Sequence, residues 1–274
     1  MKYRELGNSG INVSEIGLGC MSFGSRLTLE ESFERIDEYV EVGGNFLDTA
    51  NIYGRYGTNN KTGGSEEILG RWLKKSGKRN NVIVASKVGF PYPGITGGTS
   101  KEQIKEECEK SLKRLEVEYL DLYYLHMDDF TTPMEESLGA MQELLKEGKI
   151  RSIGASNFDA WRLEKPNNIC KQNGWVSFSC VQQRHTYFRP KQDSVFGEQR
   201  YVTLEMKSFL KETDMKLIAY SPLVGGAYVN EKGVPRQYIS EDNRERLNVL
   251  KQMSQESGIS VNQLVYYWIM NSDP

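Results

Sequence analysis

The segment Asn45-Phe46-Leu47-Asp48-Thr49-Ala50-Asn51-Ile52-Tyr53-Gly54 changes from apolar to polar within a few residues. Its first part, Asn45 to Leu47, has the apolar character of a short buried strand, and the chain turns polar at Asp48. A phenol, Tyr53, follows five positions later. An aspartate at the start of a loop is by itself more often a helix or turn cap than a functional group. Its interpretation therefore depends on how the other strands end.

Two later strands end in the same manner. The apolar run Val82–Ser86 is followed by Lys87, and the run Tyr119–Leu125 is followed by His126. In parallel sheets the carboxyl ends of the strands meet at one edge, where α/β barrels carry their chemistry. Packing does not require three different ionisable groups at three strand ends, so the pattern predicts a functional site there.

Strand-like and helix-like segments alternate along the whole chain. The strand-like segments are apolar on both faces, which indicates a parallel sheet covered by helices. The pattern predicts an α/β fold of the TIM, or (β/α)8, barrel class, as one domain over residues 1–274, lacking the last βα unit. The seven strand-like segments are Glu15–Gly19, Asn45–Leu47, Val82–Ser86, Tyr119–Leu125, Ile150–Ala155, Phe178–Val181 and Leu217–Ala219.

Several helix boundaries carry recognisable signals. Thr28 followed by Glu31 predicts a capping box, and Ser100 is a candidate N-cap of a helix that runs through Leu115. Pro133 is expected to open a helix, because proline is tolerated at helix starts. Pro166 is expected to interrupt the helix that follows Asn157.

Composition excludes several classes of protein. The 274 residues are 26% charged with a net charge of −2, so no basic surface suggests nucleic-acid binding. No apolar run reaches the roughly 20 residues needed to span a membrane, and the N-terminus lacks a signal peptide, so we expect a cytoplasmic protein. The four cysteines are scattered and only two histidines are present, which argues against a metal site and favours reduced thiols.

The run Gly17-Leu18-Gly19-Cys20-Met21-Ser22 partly matches a Rossmann dinucleotide fingerprint. Serine occupies the place of the third glycine, and no acidic residue ends a strand about 20 residues later. The sequence therefore predicts no Rossmann site.

Lys87 has two possible environments. A lysine at a strand end often extends its ammonium to solvent. If it instead lies beside Asp48, it stays cationic and would lower the pKa of Tyr53, which could then give up a proton near neutral pH. His126 could orient a carbonyl oxygen or relay a proton, although a lone histidine is more often a satisfied core residue.

Neutral polar groups follow three other strands. Ser156, Asn157 and Gln182 could hydrogen-bond a neutral amide-bearing ligand, although each could equally cap a turn. Tyr220 offers a flat ring for stacking, and packing at a barrel rim would explain it as well. The glycine-containing loop Ser221–Gly226 could bring backbone amides close to a phosphate.

With these residues assembled, the chain closely resembles the aldo-keto reductase family. The matching motifs run in family order across nearly the whole chain. They are Gly17-Leu18-Gly19, Asp48-Thr49-Ala50-x-x-Tyr53-Gly54, Gly64-Ser65-Glu66-Glu67-x-Leu69-Gly70, Ser86-Lys87, Leu120-Asp121-Leu122-x-x-x-His126, Gly148-Lys149-Ile150-Arg151-x-Ile153-Gly154-x-Ser156-Asn157-Phe158 and Ala219-Tyr220-Ser221-Pro222-Leu223.

The resemblance implies a barrel that binds NADPH without a Rossmann domain and acts on a small-molecule carbonyl substrate. It matches Asp48, Tyr53, Lys87 and His126 to the family's catalytic tetrad. Tyr53 would donate the proton, Lys87 and Asp48 would tune it, and His126 would orient the substrate. The cofactor contacts implied by the resemblance are Gly19, Met21, Ser156, Asn157, Gln182, Tyr220, Ser221, Pro222, Leu223 and Gly225.

The sequence departs from the family at its C-terminus. It stops at Asn271-Ser272-Asp273-Pro274, where strand eight of the family would begin, so we expect a shortened chain. The absent loop normally grips the 2′-phosphate, so the choice of NADP(H) rests on the family and NAD(H) is not excluded. The first hypothesis is an NAD(P)H-dependent carbonyl reductase or alcohol dehydrogenase of aldehydes, ketones or sugars. The alternative is a non-catalytic, nucleotide-binding regulatory or redox-sensing member. The oligomeric state has no signal in the sequence.

Overall fold

The structure is a computed structural model that describes residues 1–54, 62–93 and 95–272. The chain divides into two compact units, of which the first is Met1–Val181 with Asp214–Lys216. The second unit is Gln182–Thr213 with Leu217–Pro274. The single domain expected from the sequence stays a prediction, and Asp273 and Pro274 of the predicted ending lie outside the described residues.

Parallel strands form the centre of the first unit. Each pairs with the next strand along the chain, so that Leu18 lies opposite Leu47 and Leu47 opposite Val84. This order is typical of repeated βα units, and the predicted barrel-type α/β fold class is confirmed. The paired strands are β3 (Leu18–Gly19), β4 (Phe46–Asp48), β5 (Ile83–Val88), β6 (Leu122–Leu125) and β7 (Ile153–Ser156).

A helix follows each of these strands. Thr28 caps the first helix in the predicted capping box with Glu31, and Ser100 caps the third through a bond to the Gln103 amide. Pro133 directly precedes the fourth helix, as predicted. The helices are α1 (Leu29–Glu41), α2 (Gly64–Ser76), α3 (Lys101–Leu115), α4 (Met134–Lys146) and α5 (Ala160–Asn173).

Pro166 does not interrupt its helix, contrary to the prediction. It lies inside α5, which continues to Asn173. Pro166 is buried on the same face as Leu163 and Ile169. The packing of this buried face compensates for the amide hydrogen bond that proline cannot make. It thereby outweighs the local preference of proline against helix interiors.

An N-terminal hairpin precedes the barrel strands. Its strands, β1 (Tyr3–Glu5) and β2 (Asn12–Ser14), are antiparallel. Leu6 and Ile11 are buried at its closed end. Gly7 at the turn has a φ of +58°, and a side chain there would meet the Ser179 carbonyl oxygen at 2.4 Å. The hairpin is therefore packed onto the first unit.

The second unit has its own apolar core. Strand β8 (Cys180–Arg184) begins in the first unit and enters the second, and β9 is Lys216–Tyr220. The helix α6 (Leu204–Lys211) lies between these two strands along the chain, and α7 (Glu241–Ser257) and α8 (Val261–Asn271) come after β9. The core residues are Phe188, Val224, Ala227, Tyr228, Tyr238, Leu247, Leu250 and Val265.

No helix within the described ranges is long and apolar enough to cross a membrane. All four cysteines are buried free thiols, which is the state expected from their spacing.

Candidate active site

Asp48 stands at the end of β4, between strands β3 and β5. Its backbone carbonyl accepts a hydrogen bond of 2.8 Å from the Cys20 amide, while the next amide, of Thr49, donates to the Ala85 carbonyl at 2.9 Å. The backbone at the start of the polar loop is thus fixed from both sides by the parallel ladder. This fixes where the Asp48 carboxylate emerges from the sheet.

Lys87 is wholly buried in β5 and does not reach solvent. Its ammonium donates hydrogen bonds to the Asp48 carboxylate and, at 2.7 Å, to the Thr49 carbonyl oxygen. It also lies 4.9 Å from the centre of the Tyr53 ring. Burial lowers the pKa of Lys87, but Asp48 and Tyr53 together raise it above its usual value, so the side chain is an ammonium at neutral pH. Of the two environments considered, the structure shows the one beside Asp48.

Tyr53 is partly buried, and its ring lies beside the Lys87 ammonium. Burial raises the pKa of its hydroxyl, and the opposing effect of Lys87 is smaller, so the pKa lies above its usual value. The expected shift toward neutral pH is therefore wrong, because the sequence did not show how strongly the fold desolvates this phenol. A protonated phenol at neutral pH is nevertheless the form that can donate a proton.

His126 follows β6 and is almost fully buried at 6% exposure. Its amide donates a hydrogen bond of 2.7 Å to the Val88 carbonyl. The imidazole meets the rings of Tyr53 and Phe90 edge to face, with centroids 5.8 and 4.6 Å away. Burial, and then the charge of Lys87, hold the pKa of His126 well below its usual value, so the ring is neutral.

The His126 ring also has unused hydrogen-bonding capacity. Among the described residues, no group hydrogen-bonds its buried Nδ1. Buried polar atoms are rarely left without a partner, so this atom suggests that the ring serves something other than the core. The interpretation of His126 as a satisfied core residue is therefore disfavoured.

Ser156 ends β7, and Asn157 follows it, next to the His126 loop. Both are buried, and the Asn157 amide donates to the His126 carbonyl at 2.9 Å and to the Ser156 hydroxyl at 3.1 Å. Asn157 has a φ of 60°, in the left-handed region that asparagine tolerates better than most residues. The site thus gains two neutral polar groups at fixed positions.

The first unit also contains the two other predicted cofactor residues. Gly19 lies opposite Asp48 in the pairing of β3 with β4. A side chain at Gly19 would meet no atom within 4 Å, so the glycine faces open space. Met21 is half exposed just beyond this strand.

The remaining predicted residues belong to the second unit. Gln182 is 5% exposed in β8, and Tyr220 ends β9. The Arg184 guanidinium lies 5.5 Å from the Tyr220 ring centre and 5.0 Å from that of Phe196. The attraction between the Arg184 cation and the face of the Tyr220 ring helps to hold that ring in position.

The loop after Tyr220 has an unusual backbone. Ser221, Val224 and Gly225 have φ values of 53°, 51° and 65°, and left-handed conformations are rare for a β-branched residue such as Val224. The Val224 amide donates to the Ser221 carbonyl at 3.0 Å, which closes the loop around Pro222 and Leu223. Strained backbone of this kind is frequent at functional sites.

Two contributors to the site were not predicted from the sequence. Phe90, which packs on His126, could have been noticed as an aromatic residue two positions after the strand that carries Lys87. The Thr49 carbonyl that binds Lys87 is a backbone group, and no sequence signal identifies it.

The family model that matches this chain is the Aldo/keto reductase family, over residues 15–274. The chain belongs to the aldo-keto reductase family. Its relatives include the versiconal hemiacetal acetate reductase of Aspergillus parasiticus, 29% identical over 99% of this chain and 86% of that protein. An aryl-alcohol dehydrogenase (NADP+) of Phanerodontia chrysosporium is 32% identical over 65% of this chain and 49% of its own length. A probable voltage-gated potassium channel subunit beta of Oryza sativa subsp. japonica is 27% identical over 98% and 83%, respectively.

Membership in this family, with oxidoreductase relatives, makes the chain an oxidoreductase of the aldo-keto reductase type. Members of this family generally use nicotinamide cofactors. The residues present in the first unit fit such a group, because Ser156 and Asn157 offer buried, uncharged hydrogen-bonding atoms suited to a carboxamide.

Proposed function

We propose that this protein is an NADP(H)-dependent reductase of small aldehydes or ketones in which Tyr53 donates the proton. The observation that carries the proposal is the buried Lys87 ammonium, in contact with both Asp48 and Tyr53. Burying an unpaired lysine would cost folding free energy, whereas here the Lys87 ammonium is paired with the Asp48 carboxylate and lies beside the Tyr53 phenol.

The chemistry of each side chain follows from this geometry. A bound nicotinamide would supply the hydride to the carbonyl carbon. Tyr53 would give its hydroxyl proton to the carbonyl oxygen, and the adjacent Lys87 ammonium would stabilise the phenolate that remains. Asp48 would keep Lys87 charged. The neutral His126 would orient the carbonyl oxygen by a hydrogen bond rather than by charge.

The cofactor assignment rests on the family and on the polar groups at the strand ends. Gly19, Met21, Ser156 and Asn157 are proposed contacts from the first unit. The contacts proposed from the second unit are Gln182, Tyr220, Ser221, Pro222, Leu223 and Gly225. The NADP+ named for the aryl-alcohol dehydrogenase relative supports NADP(H), and its name also favours aromatic aldehydes in a first substrate panel. We further propose a cytoplasmic location.

The test is a fluorescence titration of the protein with NADPH and with NADH, followed by NADPH oxidation on a panel of aromatic, aliphatic and sugar aldehydes. Tyr53→Phe should keep cofactor binding and lose about 10²-fold or more in kcat, the usual contribution of a general acid. Tyr267→Phe, at an exposed position of α8, is the matched control and should behave as the wild type. Unchanged turnover in Tyr53→Phe would rule out the proton-donor role.

A second candidate function is regulatory. The similarity to a probable potassium channel beta subunit over 98% of this chain favours a nucleotide-binding subunit that acts on a partner. Tight NADPH binding without turnover on any carbonyl compound of the panel would support this candidate over the reductase.

A further inference from the structure

Glu107 is a buried carboxylate outside the predicted tetrad. It lies on the buried face of α3 with Ile104, Cys108 and Ser111, and it is 1% exposed. A buried carboxylate is stable only when donors surround it. The structure provides three such donors.

The donors come from three different segments. The Asn51 side-chain amide reaches Glu107 Oε2 at 2.7 Å, and the Tyr92 hydroxyl reaches Oε1 at 2.6 Å. The third donor is the Lys110 ammonium, 3.0 Å from Oε1. Burial raises the pKa of Glu107, but these hydrogen bonds bring it below its usual value, so the group is a carboxylate at neutral pH.

Asn51 connects Glu107 to the turn that carries Tyr53. Its backbone amide donates to the Lys87 carbonyl at 3.3 Å, and the Tyr53 amide donates to the Ala50 carbonyl at 3.1 Å. Asn51 is 2% exposed, so its side chain has little freedom once it is bound to Glu107. The backbone amide of Asn51 therefore binds the turn to β5, and the side chain of Asn51 binds it to α3.

Tyr92 connects the same carboxylate to the loop after β5. This loop carries Phe90, whose ring packs against His126. Burial and the hydrogen bond to Glu107 raise the pKa of Tyr92 to about 12, so its hydroxyl remains a donor. One carboxylate is thus bound to the loop of the proton donor and to the loop that supports the histidine.

We propose that Glu107 is a positioning residue for the reaction, which it serves by fixing the Asn51–Tyr53 turn and the Phe90–Tyr92 loop relative to each other. The proposal rests on the proposed function, since it concerns the placement of Tyr53 and His126. Glu107 touches neither the substrate nor the reacting atoms.

The role requires a group that only accepts hydrogen bonds. Asn51, Tyr92 and Lys110 all donate to Glu107, so a glutamine of the same shape would turn an amide donor toward one of them. Small displacements of catalytic groups are costly, and about 1 Å can reduce the rate by 10²-fold. The two loops are therefore held by the hydrogen-bond-accepting carboxylate of Glu107, and a side chain of equal volume without that charge does not replace it.

The experiment compares Glu107→Gln with Glu106→Gln. Glu106 is the matched control, because it directly precedes Glu107 on α3 and pairs with the same Lys110 at 2.8 Å but is exposed. We measure kcat, KM, NADPH affinity and the NMR signal of [13Cζ]-tyrosine at Tyr53, assigned by its absence in Tyr53→Phe. Glu107→Gln should lower kcat by about tenfold or more and shift or broaden the Tyr53 signal. Glu106→Gln should do neither.

The NMR signal is read without turnover, so it separates this proposal from the proposed function. A wild type inactive on the whole carbonyl panel would refute the proposed function, and the Tyr53 signal would still decide whether Glu107 positions the turn. A folded Glu107→Gln protein with an unaltered Tyr53 signal would overturn the proposal. If Glu107→Gln does not fold, Tyr92→Phe removes a single hydrogen bond and should give a smaller change of the same kind. An unaltered Tyr53 signal and unaltered kcat in Tyr92→Phe would overturn the proposal as well.

Discussion

The side-chain amide of Asn157 donates a hydrogen bond of 2.9 Å to the backbone carbonyl of His126. The bond joins the loops that follow β7 and β6, so a proposed cofactor residue also fixes a proposed catalytic one. The backbone of Asn157 is left-handed, with a φ of 60°.

Replacing Asn157 should separate these two contributions to stability. Asn157→Gly keeps the left-handed backbone accessible but loses the side-chain hydrogen bonds to His126 and Ser156, at a cost of about 1 kcal/mol each. Asn157→Ala must also adopt an unfavourable φ, which adds about 1–2 kcal/mol. Urea unfolding measures both free energies. Equal losses for the two variants would show that the backbone conformation is not strained.

The buried pair of Lys87 and Asp48 can be tested by a double-mutant cycle. Asp48→Asn leaves the buried ammonium without its carboxylate and should destabilise the protein by about 3–5 kcal/mol. Adding Lys87→Met removes the orphaned charge and should restore part of that loss. Unfolding free energies give the coupling, and strictly additive losses would contradict it. Reductase activity should stay low in Asp48→Asn, in Lys87→Met and in the double variant.

Two glycines inside helices should respond in opposite ways to alanine. A side chain at Gly70 of α2 would lie 2.5 Å from the Arg114 carbonyl oxygen, so Gly70→Ala should cost about 1–3 kcal/mol as the helices move apart. At Gly139 of α4 the nearest atom is the Trp175 ring at 3.7 Å, an ordinary contact. Gly139→Ala should therefore stabilise the protein by about 0.5–1 kcal/mol. Melting temperatures that change in the same direction would argue against this helix contact.

The two histidines should make stability depend on pH. Burial, and then the charge of Lys207, lower the pKa of His185 to about 4, and His126 is shifted in the same direction. The unfolded chain then binds protons below its ordinary histidine pKa of about 6.5 while the folded chain does not. The contribution of these histidines to the free energy of unfolding should be fully present above that pH. It should fall as the pH decreases, by at most about 1.4 kcal/mol per pH unit for each histidine.

His185→Gln should flatten this loss between pH 6.5 and pH 4. Unfolding free energies of the wild type and the variant, measured at the same pH values, give the contribution of His185 as their difference in slope. Identical slopes would mean that His185 is protonated in the folded protein.

The order and approximate positions of the strands could be predicted from the sequence, but their bounds could not. Lys87 and Gln182, each expected to follow a strand, lie inside β5 and β8. The strand predicted from Tyr119 begins at Leu122. Before it, Leu120 forms only an isolated bridge with Ile150, and the Asp121 carboxylate accepts the Val84 amide at 2.9 Å. The Asp121 side chain thus accepts a hydrogen bond that a backbone carbonyl would accept in a regular strand pair. The pattern of apolar residues in the sequence does not reveal this substitution.

The candidate site could be predicted as a set of residue types, because its members lie at or shortly after the carboxyl ends of apolar strands. Its electrostatics could not, since burial determines whether Tyr53 gains or loses acidity. Glu107 was overlooked because α3 is rich in glutamate. Its spacing from Ile104 and Ser111 was the available signal, as it places this one glutamate on the apolar face of the helix.

The N-terminal hairpin lies before residue 15, where the match to the family begins. Its residues are nevertheless part of the packed structure, since the Asn45 side chain accepts the Ser14 amide at 2.7 Å and Tyr3 binds the Gly43 carbonyl at 2.6 Å. A recombinant protein trimmed to the family boundary would expose the surface that Leu6 and Ile11 cover. Expression vectors for this protein should therefore retain residues 1–14, with any affinity tag separated from Tyr3 by a linker.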